Sequence, residues 1–321
     1  MLGVEELKEK IEVTDKTVEC PVKGCNEKVE RQRKDTCKKK TKFKCPIHKI
    51  VISPSTFEYP SEFDNLLWKE GPDKEMLERI KEVKRESRRI AHDNSEDAVS
   101  WNIFRFLEKN SLIEGFLNLI TGSATKSPEV VYWSYSQEED TSCSELNEAR
   151  KQFGEKATEG SEPDIIIKTN SALFFIEAKL TTGNETVPTD VSNSQKYETG
   201  GDNWFSKVFN SDFKTVAITE KKYELLRFWL LGTWIAKQQD LDFYLISLTL
   251  SRREVNIEDI FKRRINENRR SKFLRVTWET IYQYILKSNF SRDKDIMVRY
   301  FRNKTIGYDG NGRLQRAFSI P

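Results

Sequence analysis

Apolar and polar positions along this chain fall into short stretches of strand-like and helix-like periodicity. The sharpest lies at residues 162–180, EPDIIIKTNSALFFIEAKL, where two apolar runs flank the polar turn Thr169-Asn170-Ser171. Apolar runs separated by turn residues predict a β-hairpin. Upstream, Pro72 opens a charged amphipathic helix expected to run to about Ala91. Asn94 or Ser95 then caps a second helix. Its first turn is acidic at Glu96 and Asp97, and its apolar positions are Val99, Ile103, Phe104, Phe106 and Leu107. A third helix is expected near residues 112–120 and a strand at 130–135.

Downstream of the hairpin, residues 181–209 are rich in Gly, Asn, Ser and Thr, have little periodicity and read as a long, functional loop. The run VAIT at 216–219 reads as a short strand. Residues 221–239 read as a helix apolar on most sides, DFYLISLTL as a buried strand, and FLRVTW as another strand leading into the helix ETIYQYIL. The stretch 298–318 predicts a helix and then a hairpin turning at Asp309-Gly310-Asn311-Gly312.

The central hairpin carries charges where a strand pair is otherwise apolar. Side chains alternate along a strand, so Glu177 and Lys179 share a face while Ala178 points the other way. Asp164 stands at the end of the partner strand, beside Glu177. Two carboxylates and an ammonium therefore converge at one hairpin end, and such groups are rarely placed there unless paired or bound to metal.

On Pro163, Asp164, Glu177 and Lys179, with twelve residues between Asp164 and Glu177, the chain resembles the PD-(D/E)XK nuclease superfamily of restriction-endonuclease-like enzymes. The resemblance covers roughly residues 75–290. It implies an α/β fold with the αβββαβ core, a mixed sheet flanked by helices. It further implies a metal-dependent DNA endonuclease of restriction or defence type. Asp164 and Glu177 would hold Mg²⁺ or Mn²⁺ through hard oxygen ligands, with the Ala178 carbonyl as a third. Lys179 would orient or deprotonate the attacking water, and Glu96 would supply a further catalytic carboxylate from the preceding helix. Some members place a Gln or Lys after the core motif to touch substrate phosphate, which points to Gln195 and Lys196 beside Tyr197. Asn184 and Thr186 either approach nucleic acid or make turn hydrogen bonds. Two other readings stand beside this one: a repair or recombination nuclease acting on branched or single-stranded ends, and a non-cleaving nucleic-acid-binding module of the same fold. The superfamily's RNA-cutting members keep RNA among the substrates, and two-strand cutting favours a homodimer.

Composition adds a second module. Of 321 residues, 37% are hydrophobic, with 19 Phe and 7 Trp, enough for a sizeable core, and the net charge of +3 is only mildly basic. Between Cys20 and Ile50, however, eleven Lys/Arg face three Asp/Glu. Four of the five cysteines fall in this region, and the spacing C-x4-C, then nineteen residues, then C-x2-H predicts structural Zn²⁺ on Cys20, Cys25, Cys45 and His48. Cys37 is an alternative ligand. Residues 1–55 are thus expected to form a basic, zinc-finger-like module and residues 56–321 the nuclease domain. Lys38, Lys39, Lys40, Lys42 and Lys44 would grip DNA phosphates without reading sequence. The charged start MLGVEELKEKIEV is unlike a signal peptide. The longest apolar run, at 225–236, is broken by Arg227 and is too short to span a bilayer. The expectation is a cytoplasmic protein with no membrane partner.

Overall fold

The computed structural model describes residues 7–33, 41–83, 90–156, 160–190, 194–288 and 293–320. In chain order its strands are β1 (Thr17–Glu19), β2 (Lys28–Glu30), β3 (Val51–Ile52), β4 (Phe57–Glu58), β5 (Glu129–Tyr132), β6 (Tyr135–Ser136), β7 (Thr141–Ser142), β8 (Ile165–Lys168), β9 (Ala172–Ala178), β10 (Asp242–Thr249), β11 (Ser271–Thr277), β12 (Thr305–Tyr308) and β13 (Leu314–Arg316). The helices are α1 (Pro72–Val83), α2 (Glu96–Lys109), α3 (Ile113–Thr121), α4 (Ser144–Gln152), α5 (Ser194–Val208), α6 (Tyr223–Gln238), α7 (Ile257–Lys262), α8 (Trp278–Lys287) and α9 (Lys294–Asn303). They divide into two units. One comprises Met1–Lys69, Ser87–Asn110 and Glu279–Pro321, the other Glu70–Glu86 and Ser111–Trp278. The 55/56 boundary expected from composition falls inside the first unit.

The second unit is built on a seven-stranded mixed sheet of order β11-β10-β9-β8-β5-β6-β7. β8 and β9 form the predicted hairpin, with Ile165 opposite Ile176 and Lys168 opposite Leu173. β10 runs parallel to both β9 and β11. Every residue of β9 is buried. Strands covered on both faces read as continuous apolar runs, which accounts for ALFFI. Helix α6 packs on β9 and β10, and Gly232 permits the approach, since a Cβ there would lie 2.1 Å from the Phe243 ring. Helix, strands, helix and strand in this order give the α/β class and the αβββαβ core that the resemblance implies.

Four local expectations are corrected. The strand expected at 130–135 turns back at Trp133-Ser134, both at positive φ, so that Tyr132 pairs with Tyr135. Burial of the Trp133 ring and a bond from the Trp133 main-chain N–H to the Asp164 carbonyl (3.1 Å) hold that turn. VAIT is a π-type turn at Thr215–Thr219, capped by Asp212, which accepts from the Thr215 N–H and hydroxyl at 2.8 Å each. A four-residue run with three apolar positions fits either periodicity, and the cap decides. The connection read as loop contains α5, broken at Gly200–Asn203 and anchored by buried Tyr197, Phe205 and Val208. The helix expected to reach about Ala91 is described over Pro72–Val83; residues 84–89 lie outside the described residues, and Ala91 is in a turn whose carbonyl accepts from the Tyr59 N–H at 2.8 Å.

The first unit has three short antiparallel pairs, β1–β2, β3–β4 and β12–β13. Val18, Ile52 and Phe57 share one core with Tyr308 and Leu314 of the late hairpin. Main-chain bonds link Ile11 N–H to the Gly312 carbonyl (2.8 Å), Leu314 N–H to the Glu9 carbonyl (2.9 Å) and Tyr308 N–H to the Ser55 carbonyl (3.0 Å). Gly307 and Gly312 have φ of 125° and 80°, and a Cβ on either would lie within 2.0 Å of the Ser55 or Ile11 carbonyl oxygen. Ser95 caps α2 as expected, its Oγ accepting the Ala98 N–H at 3.2 Å. Below that cap lies a buried ion pair, Lys304 Nζ to Asp93 Oδ1 at 3.2 Å.

Candidate active site

Asp164 immediately precedes β8, and its Oδ2 accepts the Ala178 N–H at 2.8 Å. The carboxylate is thereby clamped to the end of β9. Glu177, the next residue back, is 4% exposed. Lys179 continues the β9–β10 pairing through its N–H to the Leu248 carbonyl (2.8 Å), and its carbonyl accepts from Trp278 Nε1 (3.1 Å). Its side chain, 12% exposed, donates to Glu177 Oε1. The three residues picked out in the sequence therefore meet at one end of the hairpin.

A fourth group joins them. Glu224, in the first turn of α6, accepts from Lys179 Nζ at 3.0 Å. Thr186 fixes its backbone by accepting the Glu224 N–H at 2.8 Å. Sequence reasoning missed Glu224 because a glutamate in a first helical turn is the ordinary complement of the helix dipole. The cluster now holds three carboxylates around one ammonium. Burial raises the Glu177 pKa well above the usual carboxylate range, and the charges of Asp164 and Glu224 push it the same way against Lys179. Burial also acts to lower the Lys179 pKa, but Glu177, Glu224 and Asp164 outweigh it and hold the side chain as an ammonium. Burial likewise disfavours the Glu224 carboxylate, yet Lys179 keeps its pKa below the ordinary value.

The other expected site residues are placed as follows. Asn184 is fully buried and donates to Ser247 Oγ (2.9 Å) and Glu254 Oε2 (2.7 Å), and Ser247 pairs in register with Glu177. Asn184 and Thr186 thus bond to distant segments of the chain and not within a local turn. Tyr197 is buried, with its hydroxyl 3.0 Å from Glu155 Oε1 and 3.1 Å from the Tyr223 hydroxyl. Lys196 lies over the Tyr197 ring, and Gln195 is exposed, its carbonyl accepting from Thr199 Oγ1. Of these three, Tyr197 reaches Tyr223, the neighbour of Glu224. Glu96 opens α2 in the first unit. Cys20, Cys25, Cys45 and His48 come together, their ligand atoms all within 4.8 Å. Lys42 pairs with Glu30 at the surface. Lys38, Lys39, Lys40 and Cys37 lie outside the described residues.

A family model described as "Restriction Endonuclease associating with ARP" matches residues 29–304. The chain belongs to this REase-ARP family. The match takes in the whole second unit with its αβββαβ core, so the REase-ARP chain is restriction-endonuclease-like in fold and nuclease-type in function. Cys20 and Cys25 precede the matched residues. No curated protein and no solved structure gives a significant match. Among the described residues, no helix is long and apolar enough to cross a membrane.

Proposed function

We propose that this chain is a metal-dependent endonuclease that hydrolyses DNA phosphodiesters. The observation that carries the reading is the excess of carboxylate over ammonium at the β8–β9 end. Asp164, Glu177 and Glu224 all act on the ammonium of Lys179, with the Arg227 guanidinium also acting on Glu224, in a pocket whose burial already disfavours the ionised Glu177. A divalent cation with a preference for oxygen ligands fits such a set, and Asp164 and Glu177 would hold Mg²⁺ or Mn²⁺. When bound, the ion would polarise the scissile phosphate and acidify a water ligand.

The chain's own groups do the rest. Lys179, held between Glu177 and Glu224, presents an ammonium that orients the attacking water and offsets charge building on the phosphate. The Ala178 N–H fixes the Asp164 carboxylate, so the site is organised before substrate arrives. Cleavage by in-line water attack would leave a 5′-phosphate and a 3′-hydroxyl. Phosphate contacts from Lys38, Lys39 and Lys40, and pairing of two chains for two-strand cutting, belong to this reading on the strength of the sequence.

The test is incubation of plasmid, forked and single-stranded DNA, and of RNA, with Mg²⁺ or Mn²⁺ against an EDTA control. Metal-dependent cutting of duplex plasmid is expected. Cutting confined to forked or single-stranded DNA would move the assignment to a repair nuclease. Inertness toward every substrate with either ion would sink it.

Glu224 accepts a hydrogen bond from Lys179 and acts through it, as a positioning residue. Outer partners of this kind typically contribute 10–100-fold to activity. Glu224→Gln is expected to lower kcat by about 10-fold or more with little change in KM for DNA, and Glu224→Asp to recover part of the loss. An unchanged kcat in Glu224→Gln would remove Glu224 from the machinery.

A further inference from the structure

Two tight turns in the first unit aim four soft ligand atoms at one point. Cys20 closes β1, and the turn Pro21–Gly24 brings the chain back to Cys25, whose N–H bonds the Val22 carbonyl at 3.1 Å. Gly24 has φ of 81° with open space around it, so the backbone conformation, not crowding, calls for glycine there. The second turn is Cys45-Pro46-Ile47-His48. The His48 N–H donates to Cys45 Sγ at 3.4 Å, and the Lys49 N–H closes the turn on the Cys45 carbonyl at 2.9 Å.

The separations are diagnostic. Cys20 Sγ lies 3.6 Å and Cys45 Sγ 3.8 Å from His48 Nδ1, and Cys25 Sγ lies 3.9 Å from Cys45 Sγ. Bond lengths of ~2.3 Å for Zn–S and ~2.0–2.1 Å for Zn–N in a tetrahedron give edges of about 3.8 Å for S···S and about 3.6 Å for S···N. Disulfide sulfurs would instead stand ~2.05 Å apart, and Cys20, Cys25 and Cys45 are all free thiols. Cysteines serving only as small core hydrophobes have no reason to converge on an imidazole nitrogen.

From this geometry we propose that Cys20, Cys25, Cys45 and His48, through Nδ1, bind one Zn²⁺ in a closed structural site. Three thiolates and an imidazole select a soft or borderline cation over Mg²⁺, and four protein ligands leave no open position for catalysis. The Lys8 ammonium donates to the Cys25 carbonyl and pairs with Glu19, tying the first ligand turn to β1. Strands of two or three residues bury little apolar surface, and binding energy at a closed site becomes folding energy. Because Cys20 and Cys25 precede residues 29–304, half of the ligand set lies outside the family match. The centre shares no residue with the carboxylate cluster and stands or falls independently of the nuclease assignment.

Metal analysis of the full chain, purified without added metal and again after refolding with Zn²⁺, tests the proposal. About one zinc per chain is expected. Exchange with Co²⁺ should give the intense visible absorption of a tetrahedral site together with thiolate charge-transfer bands in the near ultraviolet. Cys45→Ser should lose the metal, whereas Cys37→Ser and Cys143→Ser should keep it. If Cys45→Ser does not fold, His48→Cys serves instead: it should retain one metal and strengthen the thiolate charge transfer. The proposal is overturned if wild-type protein takes up no zinc, if its Co²⁺ spectrum is the weak one of an octahedral site, or if Cys37→Ser abolishes binding.

Discussion

Asp164→Ala, Glu177→Gln and Lys179→Ala are each expected to lower metal-dependent DNA cleavage by about 10²–10³-fold, the usual effect of deleting one group that stabilises charge in a transition state. Their effects on stability should diverge, and the divergence is the sharper test. Glu177 is buried among like charges from Asp164 and Glu224. Replacing it with the neutral isostere removes repulsion and keeps the hydrogen bond from Lys179, so the melting temperature should hold or rise while activity is lost. Lys179→Ala does the reverse, removing the one cation that pairs with Glu177 and Glu224. It should lose activity and melt lower. Thermal melts run beside single-turnover cleavage assays separate these signs. A Lys179→Ala enzyme cutting at wild-type speed would end the mechanism proposed for the hairpin site.

The second large effect lies in the first unit, at Asp93 and Lys304. Both side chains are buried. Asp93 accepts from Lys304 Nζ (3.2 Å), from the Tyr59 hydroxyl (2.9 Å) and from Thr305 Oγ1. Lys304 also donates to Asn65 Oδ1 at 3.1 Å, and Asn65 Nδ2 donates to the Ile90 and His92 carbonyls at 2.7 Å each. Three separate chain segments meet on this pair. Removing one member leaves the other charged and unpaired away from water, which typically costs about 3–5 kcal/mol. Lys304→Met and Asp93→Leu should each destabilise by that order in denaturant titrations. The double substitution should recover much of the loss, because well-packed apolar residues replace a buried ion pair at little net cost. Additive single effects in the double mutant would show that the pair is not coupled.

Both sites were unequally visible in the sequence, for physical reasons. The hairpin was legible because period-two alternation, a polar turn and a terminal Glu-Ala-Lys are local signals. Glu224 was not, because what brings it to Lys179 is the packing of α6 on β9 and β10, which leaves no mark at position 224. Helix α5 was read as loop because Gly200, Gly201, Asp202 and Asn203 interrupt its periodicity. Burial of Tyr197 and Phe205 overrides that local preference. Trp133-Ser134 carries no glycine or asparagine to announce a turn. The cysteines gave the reverse case, since spacing alone named four ligands and the fold brought the same four together. The turn at Asp309–Gly312 was equally legible, but nothing local said that it would pair with Lys10 and Ile11.

That last pairing has a consequence for biosynthesis. Glu9, Ile11 and Ser55 emerge from the ribosome long before Gly312, Leu314 and Tyr308, the groups that satisfy their main-chain bonds and complete their core. At ~5–20 residues per second the early ribbon waits on the order of tens of seconds for its partners. All four ligands of the Cys20–His48 centre, and the Lys49 and Ile50 main-chain groups that hold its second turn, are made by residue 50, so metal can close it while translation continues. On this account zinc guards a half-finished core, and scarcity of the metal during synthesis would harm the nascent chain more than its later removal harms the finished protein.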